Sequence, residues 1–416
     1  MIIFVMPISE IFIYAGTFAA LYFGILIFIT LYENRHCLYE KRLPKYLPAI
    51  SIILPCFNEE KNVASVLASL AALDYPKKKL ELIAVDDGSY DATLAKMLAF
   101  QKKYPTLKVL HKENGGKHTA LNLAIPQAKG EIIGTIDADC SLEPNALKQM
   151  LKYFNEPRVA AVVSTIKVRQ PQNILEGVQY AEFMVSAFIK KMLSFLGSLT
   201  VTPGPLSLFR KEIFNQVGPY KKAYMTEDLE MALRLQSQNL KIACSWEAAV
   251  YTKGKSTLKG LSHQRLRWQR GFLLNLKDYL GLLNFKNHGN LSFLLIYSII
   301  GAFLSVALIG ITIFQLIKIL LINFNHALLI KFDLAHFLSF KNLEWSLIAM
   351  NPLTVMGLAA MVMILTFMFL GKKFTFEKSK IGEKMLVWVV VYPFLNASWW
   401  ILTALSIASG KEIKWK

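Results

Sequence analysis

Long apolar runs at both ends of the chain restrict its fold more than any other feature. Residues 11–31 form an almost unbroken apolar stretch, and further runs follow at 291–322, 352–370 and 385–408. Each run has roughly the length that an α-helix needs to cross the hydrocarbon core of a bilayer. The sequence therefore predicts a chain held in a membrane near both ends, with a folded region between the two membrane parts.

The composition agrees with membrane insertion and indicates basic surfaces. Of the 416 residues, 54% are hydrophobic and only 18% are charged, yet the formal net charge is +18. Basic residues beside apolar spans attract anionic lipid headgroups, and basic clefts attract phosphate-bearing substrates. We expect membrane lipids as partners and no nucleic acid, because no recognisable nucleic-acid-binding module accompanies the charge.

Basic residues after the first run predict its orientation. The first ten residues contain one acid and no base, whereas Arg35 and Arg42 lie just after the run. By the positive-inside rule, residue 35 onward is cytoplasmic, and no cleavage site makes the run a removable signal peptide. We expect a multi-pass plasma-membrane protein with an anchor at 1–34, a cytoplasmic domain with interfacial helices at 35–285, and about three spans at 286–416.

The C-terminal topology contains a conflict. Residues 372–384 hold five lysines against two glutamates and are expected to be cytoplasmic. Counting spans puts the C-terminus outside, but the tail at 411–416 is basic and favours the inside. A break or re-entrant segment around Tyr392 and Pro393 would resolve this conflict, and residues 323–349 can alternatively contribute an interfacial helix.

Between the apolar runs, segments of strand length alternate with helical patterns. This alternation predicts an α/β domain with a parallel sheet and crossover helices, whose sites lie past the carboxyl ends of the strands. The predicted strands are 49–54, 80–85, 108–111 and 131–136, and the predicted helices are 59–72, 91–104 and 117–128.

An Asp-Asp-Gly-Ser sequence follows the second predicted strand. A carboxylate of Asp86 or Asp87 can there accept the imide N–H of a uracil base, and Gly88 allows the chain to turn closely past a ligand. An Asp-Gly turn followed by a helix cap explains the same residues when they are taken alone.

Two further acids, Asp137 and Asp139, follow the fourth predicted strand. In extended backbone, residues two apart point to the same side, so these carboxylates offer a pair of oxygen ligands. Such a pair suits a hard divalent cation that also binds the oxygens of a diphosphate. The alternative, a solvated loop, is less favourable because uncompensated acids at the end of a buried strand are costly.

The sequence Thr226-Glu227-Asp228 opens a predicted helix at 229–236. An acid near a helix start is often only a cap. In sugar transfer, however, a carboxylate must take the proton of the attacking hydroxyl, and Asp228 is the candidate for that base. Glu227 is the second catalytic candidate in this motif.

A basic and aromatic stretch lies shortly before the second apolar run. Arg267 can pair with diphosphate oxygens, Trp268 can stack on a sugar face, and Gln264 can bond hydroxyl groups. The alternative is an interfacial helix with basic residues near headgroups and tryptophan in the aromatic belt. Both interpretations can hold at once.

Two weaker stretches have open interpretations. Residues 114–117 can place Lys117 and backbone amides near a phosphate, or they form a glycine turn before a helix. Residues 202–205, Thr-Pro-Gly-Pro, form a rigid loop that either shapes an acceptor pocket or only connects elements.

Taken in order, five motifs resemble those of processive inverting family-2 glycosyltransferases, which include cellulose, chitin and hyaluronan synthases. The resemblance is greatest to bacterial poly-β-1,6-N-acetylglucosamine synthases, which share the layout of one anchor, a domain and further spans. The motifs are Pro55-Cys56-Phe57-Asn58-Glu59, Asp86-Asp87-Gly88-Ser89, Asp137-Ala138-Asp139, Thr226-Glu227-Asp228 and Gln264-Arg265-Leu266-Arg267-Trp268. Residues 202–205 depart from the small-residue Ser-Gly sequence of those synthases, so the acceptor and the linkage stay open.

The resemblance implies a GT-A, Rossmann-like α/β domain joined to α-helical transmembrane segments. It implies a UDP-sugar donor, with UDP-N-acetylglucosamine favoured, and Mg²⁺ or Mn²⁺ as cofactor. Attack opposite the leaving UDP inverts an α-donor into a β-link without a covalent enzyme intermediate.

The motif residues and the resemblance together assign site roles. The donor-site candidates are Pro55, Asn58, Glu59, Asp86, Asp87, Lys117, Asp137 and Asp139, the last two also as metal ligands. Asp228 is the base with Glu227 beside it, and Gln264, Arg267 and Trp268 belong to the acceptor and diphosphate site.

Three functions remain open. The first is a hexosyltransferase that extends a β-linked polysaccharide and couples synthesis to passage across the membrane. The second is a non-processive transferase that adds one sugar to a lipid. The third is a non-catalytic membrane scaffold or channel, against which the acids at every catalytic position argue. The expected partners are the donor, a growing polysaccharide or lipid acceptor, and a small membrane subunit.

Overall fold

The structure, a computed structural model, describes residues 8–40, 42–329, 352–377 and 382–410. The strands are β1 (Ile50–Cys56), β2 (Leu80–Asp86), β3 (Leu107–His111), β4 (Ile132–Thr135), β5 (Cys140–Leu142), β6 (Val159–Val168), β7 (Ser207–Arg210) and β8 (Lys241–Thr252). The helices in these ranges are α1 (Ile8–Glu33), α2 (Val63–Ala71), α3 (Thr93–Lys103), α4 (Lys117–Ala124), α5 (Ala146–Leu151), α6 (Ile174–Phe195), α7 (Ile213–Val217), α8 (Glu227–Ser237), α9 (Leu258–Asp278), α10 (Phe285–Leu329), α11 (Pro352–Phe374) and α12 (Gly382–Ala408).

One mixed sheet organises the domain, with the strand order β3-β2-β1-β4-β7-β6-β8-β5. β1 pairs in parallel with β2 and β4, and β2 with β3, as the strand–helix alternation predicted. The expectation of an all-parallel sheet is wrong beyond β4, because β7 is antiparallel to β4 and β6, and β5 is antiparallel to β8. The chain enters β7 beside the carboxyl end of β4, where Ser207 lies opposite Thr135, so β7 must run the other way.

Element boundaries differ from the predicted ones by a few residues. The helix predicted at 59–72 begins only at Val63, and the helix predicted at 117–128 ends already at Ala124. The first of these shifts has a clear cause. Asn58 has a left-handed φ of 56°, and the amide of Glu59 donates to Oγ1 of Thr93 at 2.7 Å. These residues therefore belong to a loop tied to the next strand–helix connection rather than to the first helical turn.

Apolar side chains cover both faces of the sheet. On one face, α2, α3 and α5 contribute Leu67, Met97 and Leu147 to a buried cluster. On the other face, α4 and α8 contribute Leu121 and Met231 to a second cluster. Burial on both faces is typical of a sheet with crossover helices, and it leaves the strand ends as the exposed polar edge.

A third cluster joins the sheet domain to the long apolar helices. Trp246 of β8 stacks on Phe374 at the end of α11, with ring centres 4.6 Å apart. Phe188 of α6 lies 6.2 Å from the Trp246 ring and 5.5 Å from the Phe367 ring of α11. Ile27 of α1 belongs to the same cluster. Helix α6 therefore connects the sheet with α1 and α11.

Among the described residues, four helical segments are long and apolar enough to cross a membrane. They are Glu10–Glu33, Phe285–Ile322, Val355–Phe374 and Val387–Ala408, in agreement with the four predicted runs. Helix α10 continues to Leu329, so residues 323–329 extend this helix. The rest of the alternative interfacial helix, 330–349, lies outside the described residues.

The expected interruption near the last span is not present, because α12 is continuous through Pro393. Helices in membranes tolerate proline where neighbouring groups satisfy the freed backbone. Residues 378–381 of the lysine-rich loop and the basic tail at 411–416 lie outside the described residues.

Close packing of α11 on α6 gives a test of this arrangement. A Cβ added to Gly371 would lie 2.5 Å from the backbone oxygen of Met184, whereas one added to Gly357 of the same helix would meet no atom within 4 Å. We expect Gly371→Ala to force the two helices apart, at a cost of about 1–3 kcal/mol, and to lower the thermal unfolding midpoint in detergent. Gly357→Ala is the matched control and should be neutral or stabilising by up to about 1 kcal/mol. Equal midpoints for the two variants would contradict this packing.

Candidate active site

The carboxyl end of β2 carries a fully buried acid with a free acceptor atom. Oδ2 of Asp86 lies 2.7 Å from Nδ1 of His111, while its buried Oδ1 has no hydrogen-bond partner among the described residues. Gly88 has φ +74°, and a Cβ there would lie 2.6 Å from the amide nitrogen of Asn114. The glycine thus permits the close approach of two loops beside an unsatisfied carboxylate oxygen, which suits an N–H donor of a ligand.

Asp87 has a different environment from Asp86. Its carboxylate accepts from Nζ of Lys112 at 2.7 Å, from the amide of Gly115 at 3.1 Å and from the amide of Gly116 at 2.8 Å. These bonds hold the glycine turn before α4 and occupy two amides that were candidates for phosphate binding. The glycine-turn interpretation of residues 114–117 therefore describes these amides, and Asp87 supports the loop beside Asp86.

The motif after β1 forms the rim next to this loop. Pro55 is buried within β1. The amide of Asn58 donates to Oγ of Ser89 at 2.9 Å, and its Oδ1 accepts from the amide of Tyr90 at 3.1 Å. Burial raises the pKa of the Glu59 carboxyl. The first two motifs are thus bound to each other, as expected of residues at adjacent strand ends.

Asp137 and Asp139 lie together in a turn, not in extended backbone. β4 ends at Thr135, and the ligand atoms of Asp137, Asp139 and Cys140 lie within 4.8 Å of one another. Desolvation within the cleft raises the pKa of the Asp139 carboxyl, and the neighbouring charge of Asp137 raises it further. The predicted proximity of the two carboxylates is correct, but a turn produces it.

These groups fit a hard divalent cation that shares its shell with a ligand. Such ions prefer oxygen ligands, and two carboxylates leave most positions for phosphate oxygens and water. Burial raises the pKa of the Cys140 thiol well above its usual range, and its Sγ donates to Oδ1 of Asp139 at 3.2 Å. A protonated thiol is a poor ligand, so Cys140 supports Asp139 instead of completing the site.

Lys117 connects the two acidic motifs. Its Nζ lies 2.6 Å from Oδ1 of Asp137 and 3.3 Å from Oε1 of Glu227. Burial opposes its charge, but the carboxylates of Asp137, Glu227 and Asp228 outweigh this effect and raise the pKa of Lys117. A Cβ on Gly204 would lie 2.5 Å from Oδ2 of Asp137 and 2.6 Å from Nζ of Lys117. The loop at 202–205 therefore packs directly on the ion pair, and only glycine leaves room for it.

A turn of three left-handed residues precedes the second acidic motif. Residues 223–225 have φ values of 46°, 54° and 63°. Left-handed backbone is unfavourable for residues with a Cβ and persists where surrounding contacts impose it. Nδ2 of the buried Asn275 donates to the carbonyl of Ala223 and to Oγ1 of Thr226, and Gly271 packs against Thr226. Helix α9 thus fixes the start of α8.

Asp228 combines an anchored backbone with a carboxyl in the cleft. Its carbonyl accepts from both the amide and Oγ1 of Thr202, at 3.1 and 2.8 Å. Burial and the like charge of Glu227 raise the pKa of the Asp228 carboxyl, while Lys117 and Arg267 act against the increase. A carboxyl with a raised pKa is a stronger base than an ordinary aspartate, as general-base catalysis requires.

The three candidates on α9 lie next to this turn. Nη1 of Arg267 donates to the carbonyl of Met225 at 2.6 Å. Oε1 of Gln264 is buried and has no hydrogen-bond partner within the described ranges. The guanidinium carbon of Arg265 lies 4.5 Å from the centre of the Trp268 ring. One helix therefore supports the acidic turn and carries the expected acceptor residues.

Sequence reasoning missed Lys255, in the loop after β8. The side chain of the buried Gln179 makes two hydrogen bonds to the backbone of Lys255. The Lys255 amide donates to Oε1 of Gln179 at 2.9 Å, and Nε2 of Gln179 donates to the Lys255 carbonyl at 2.8 Å. Its positive charge opposes the raised pKa values of Glu59 and Asp139. The only signal in the sequence was a pair of lysines around Gly254, which is common in surface loops.

Comparisons with known proteins agree with this geometry. Residues 51–218 match the family described as Glycosyl transferase family 2. The beta-monoglucosyldiacylglycerol synthase of Trichormus variabilis is 30% identical over 59% of this chain and 53% of its own length. A poly-beta-1,6-N-acetyl-D-glucosamine synthase of Staphylococcus epidermidis is 31% identical over 57% of this chain and 58% of its own length. The chain thus spans about half the length of these curated relatives.

A solved structure shows the same fold over nearly the whole chain. Mannosyltransferase PcManGT from Pyrobaculum calidifontis, in complex with GDP-Man and Mn²⁺, aligns with a TM-score of 0.63 at 17% identity, covering 97% of this chain and 99% of that one. The sheet and its edge of acids therefore define a GT-A glycosyltransferase fold. Within it, residues 51–218 match the model of glycosyltransferase family 2.

The support of the acidic turn by Asn275 is testable without a substrate. Asn275→Ala removes the donor to Oγ1 of Thr226, at a local cost of about 1–3 kcal/mol. We expect the amides of Met225 and Thr226 to exchange hydrogen about tenfold faster in hydrogen–deuterium exchange mass spectrometry of the detergent-solubilised chain. Asn287→Ala, at an exposed asparagine of α10, is the control. Unchanged exchange in the Asn275 variant would mean that other contacts hold the turn.

Proposed function

We propose that the chain is an inverting hexosyltransferase that transfers a sugar from a UDP-sugar to a growing β-linked polysaccharide at the membrane. The proposed donor is UDP-N-acetylglucosamine. One observation carries the proposal: Lys117 binds both Asp137 and Glu227, so the diphosphate motif and the base motif face one cleft. This arrangement suits a reaction in which one group leaves while a hydroxyl loses its proton nearby.

The donor binds at the ends of β2 and β4. The unsatisfied Oδ1 of Asp86 accepts the imide N–H of uracil, which would fill its missing hydrogen bond. Asp139, with Asp137, would hold a Mg²⁺ or Mn²⁺ ion, which would supply positive charge beside the departing diphosphate. Lys117 adds a positive charge on the same side of the cleft.

Asp228 acts on the acceptor side. Its carboxylate takes the proton of the acceptor hydroxyl as that oxygen bonds to the anomeric carbon, and the bond from this carbon to the diphosphate oxygen breaks. The electron pair leaves with UDP, and the proton remains on Asp228 until it passes to water. Attack opposite the leaving group converts an α-donor into a β-product in one step.

The acceptor rests on α9 in this proposal. Trp268 supplies a stacking face and Gln264 a hydrogen-bond acceptor for hydroxyl groups, while Arg267 holds the turn before Asp228. The adjacent α12 offers a route along which a polymer crosses the membrane. The basic residues after α1 favour a catalytic domain on the cytoplasmic side of the plasma membrane.

A second candidate is a single transfer to a lipid hydroxyl. The relative from Trichormus variabilis, a beta-monoglucosyldiacylglycerol synthase, favours it. So does the bonding of α9, which carries the expected acceptor residues, to the apolar helix α12. A diacylglycerol in the bilayer could present its hydroxyl to Asp228 without any polymer channel.

Product size separates the candidates. Membranes containing the chain are incubated with labelled UDP-N-acetylglucosamine or UDP-glucose and Mn²⁺, and the products are extracted and sized. Label in a long polymer supports the polysaccharide proposal, whereas label only in a one-sugar lipid supports the second candidate. Absence of UDP release with every UDP-sugar would revive the non-catalytic scaffold or channel.

The role of Asp228 predicts a separation of chemistry from binding. We expect Asp228→Asn to abolish transfer, because a neutral amide cannot take the proton, and to leave the affinity for UDP with Mn²⁺ largely intact. Transfer is measured as product formation and affinity by titration calorimetry. Asp74→Asn, at an exposed acid in the loop after α2, is the control and should transfer normally. Normal turnover of the Asp228 variant would remove this residue as the base.

The raised pKa of Asp228 also predicts a pH dependence. The deprotonated acid is the active form, so transfer is complete above the raised pKa and is lost as the pH falls through it. As the pH is lowered, transfer should therefore begin to fall at a pH higher than the pKa of an ordinary aspartate, which is about 3.9. It is measured as kcat/KM against pH at saturating Mn²⁺, with UDP affinity recorded at each pH to exclude loss of donor binding. A flat profile down to about pH 4.5 would contradict the prediction.

A further inference from the structure

Helix α12 presents a row of polar side chains to α6 and α9. The row consists of Tyr392, Asn396, Trp399, Thr403 and Ser406. Their alternating spacing of four and three residues puts them on one face of the helix. Each makes a hydrogen bond to α6 or α9, as polar groups on an apolar helix must find partners when they leave water.

Most of this row joins α12 to α9 through neutral groups. Nε1 of Trp399 donates to Oγ of Ser262 at 2.9 Å, and the side chain of Gln269 bonds both Asn396 and Thr403, at 3.1 and 3.0 Å. These bonds, together with those from Nη1 of Arg270 to Ser406, attach the two helices to each other.

The contact at Tyr392 is different because it ends on a carboxylate that forms an ion pair with a second helix. Its hydroxyl donates to Oε1 of Glu182 at 2.8 Å, and Oε2 of the same carboxylate accepts from Nη2 of Arg265 at 2.7 Å. The Glu182 side chain is 18% exposed and that of Arg265 is 6% exposed. Burial raises the pKa of the Glu182 carboxyl, while Arg265 and Tyr392 oppose the increase.

A buried ion pair of this kind contributes little to the stability of helix packing. The desolvation of both charges often equals their attraction, and apolar side chains of similar size stabilise as well or better. Neutral hydrogen bonds already connect α9 with α12. The charged pair therefore calls for another role, and the contact of Arg265 with the Trp268 ring indicates it.

Arg265 continues the chain of contacts to the acceptor motif. Its guanidinium carbon lies 4.5 Å from the ring centre of Trp268, one helical turn further along α9. A cation over an aromatic face attracts the ring and favours one orientation of its plane. Tyr392, Glu182, Arg265 and Trp268 are thus connected in that order.

We propose that Glu182, held by Tyr392 of α12, is a positioning residue that orients Arg265 and thereby the Trp268 ring on which the acceptor stacks. The inference rests on the proposed acceptor role of Trp268. Helix α12 then sets the geometry of acceptor binding as well as fixing the domain to the membrane. Donor binding, on the far side of Asp228, does not depend on this chain of contacts.

The test compares acceptor and donor binding in the full chain in lipid nanodiscs. The variants are Tyr392→Phe, which removes one hydrogen bond, and Glu182→Gln, which also removes the charge facing Arg265. Ser406→Ala is the matched control, because it removes a hydrogen bond between α12 and α9 away from Glu182. The donor is UDP-N-acetylglucosamine or UDP-glucose with Mn²⁺, and the acceptor probes are a β-1,6-linked N-acetylglucosamine tetramer and dioleoylglycerol.

A positioning role separates KM from kcat. We expect Tyr392→Phe to raise the acceptor KM about threefold to tenfold, and Glu182→Gln to raise it more. The kcat at saturating acceptor, the UDP affinity and the melting temperature of Tyr392→Phe should remain near wild type. Ser406→Ala should leave the acceptor KM unchanged.

Several results would overturn the inference. One is an unchanged acceptor KM in Tyr392→Phe, which carries the test even if Glu182→Gln does not fold. Another is a parallel loss of UDP affinity and stability, which would reduce the ion pair to a structural brace. A wild type that transfers sugar while its variants behave normally contradicts only this inference. A wild type that transfers no sugar refutes the proposed function, and the inference falls with it.

Discussion

The ion pairs of Lys117 are the interaction on which the site depends. The cleft brings Asp137, Glu227 and Asp228 together from two distant segments, and like charges so close repel one another unless a cation compensates them. Lys117 supplies that cation from the start of α4, where the glycine turn held by Asp87 positions it. Gly204 lets the 202–205 loop close over the pair.

The second constraint is the attachment of this cleft to the membrane helices. Helix α6 packs on the sheet with one side and on α1 and α11 with the other, around Trp246 and Phe188. Helix α9 holds the turn before Asp228 through Asn275 and bonds α12 through Gln269. The proposed base and acceptor residues therefore lie on elements that contact the apolar helices, while the proposed donor residues lie at the ends of sheet strands.

Local patterns in the sequence were sufficient where a site residue ends a strand. Strand periodicity located Asp86, Asp137 and Asp139 at the polar edge, and apolar length located the four candidate spans. The roles of Asp87 and the glycine turn were not readable, because a carboxylate that binds a loop and one that binds a ligand look the same in sequence. The antiparallel direction of β7 was also missed, because the pairing of β7 with β4 depends on contacts that no local pattern encodes.

Contacts over long separations were beyond sequence reasoning for the same reason. Lys117 contacts Glu227 although the two residues are far apart in the sequence, and Glu182 contacts Tyr392 at a sequence separation of 210 residues. Periodicity reports which face of an element is apolar, but it does not pair one polar residue with another. The sequence did name both members of the first pair as site candidates, whereas nothing in it connected Glu182 with α12.

We propose that the two acidic motifs have separate roles. Asp137 and Asp139 act at the leaving group, and Asp228 acts at the incoming hydroxyl. A structure of the full chain with UDP and Mn²⁺, with the ion located by its anomalous scattering, tests this most directly. We expect Mn²⁺ to be bound by Asp139 and the diphosphate, with Asp228 outside the coordination shell and facing the acceptor side. Direct coordination of Mn²⁺ by Glu227 or Asp228 would contradict it.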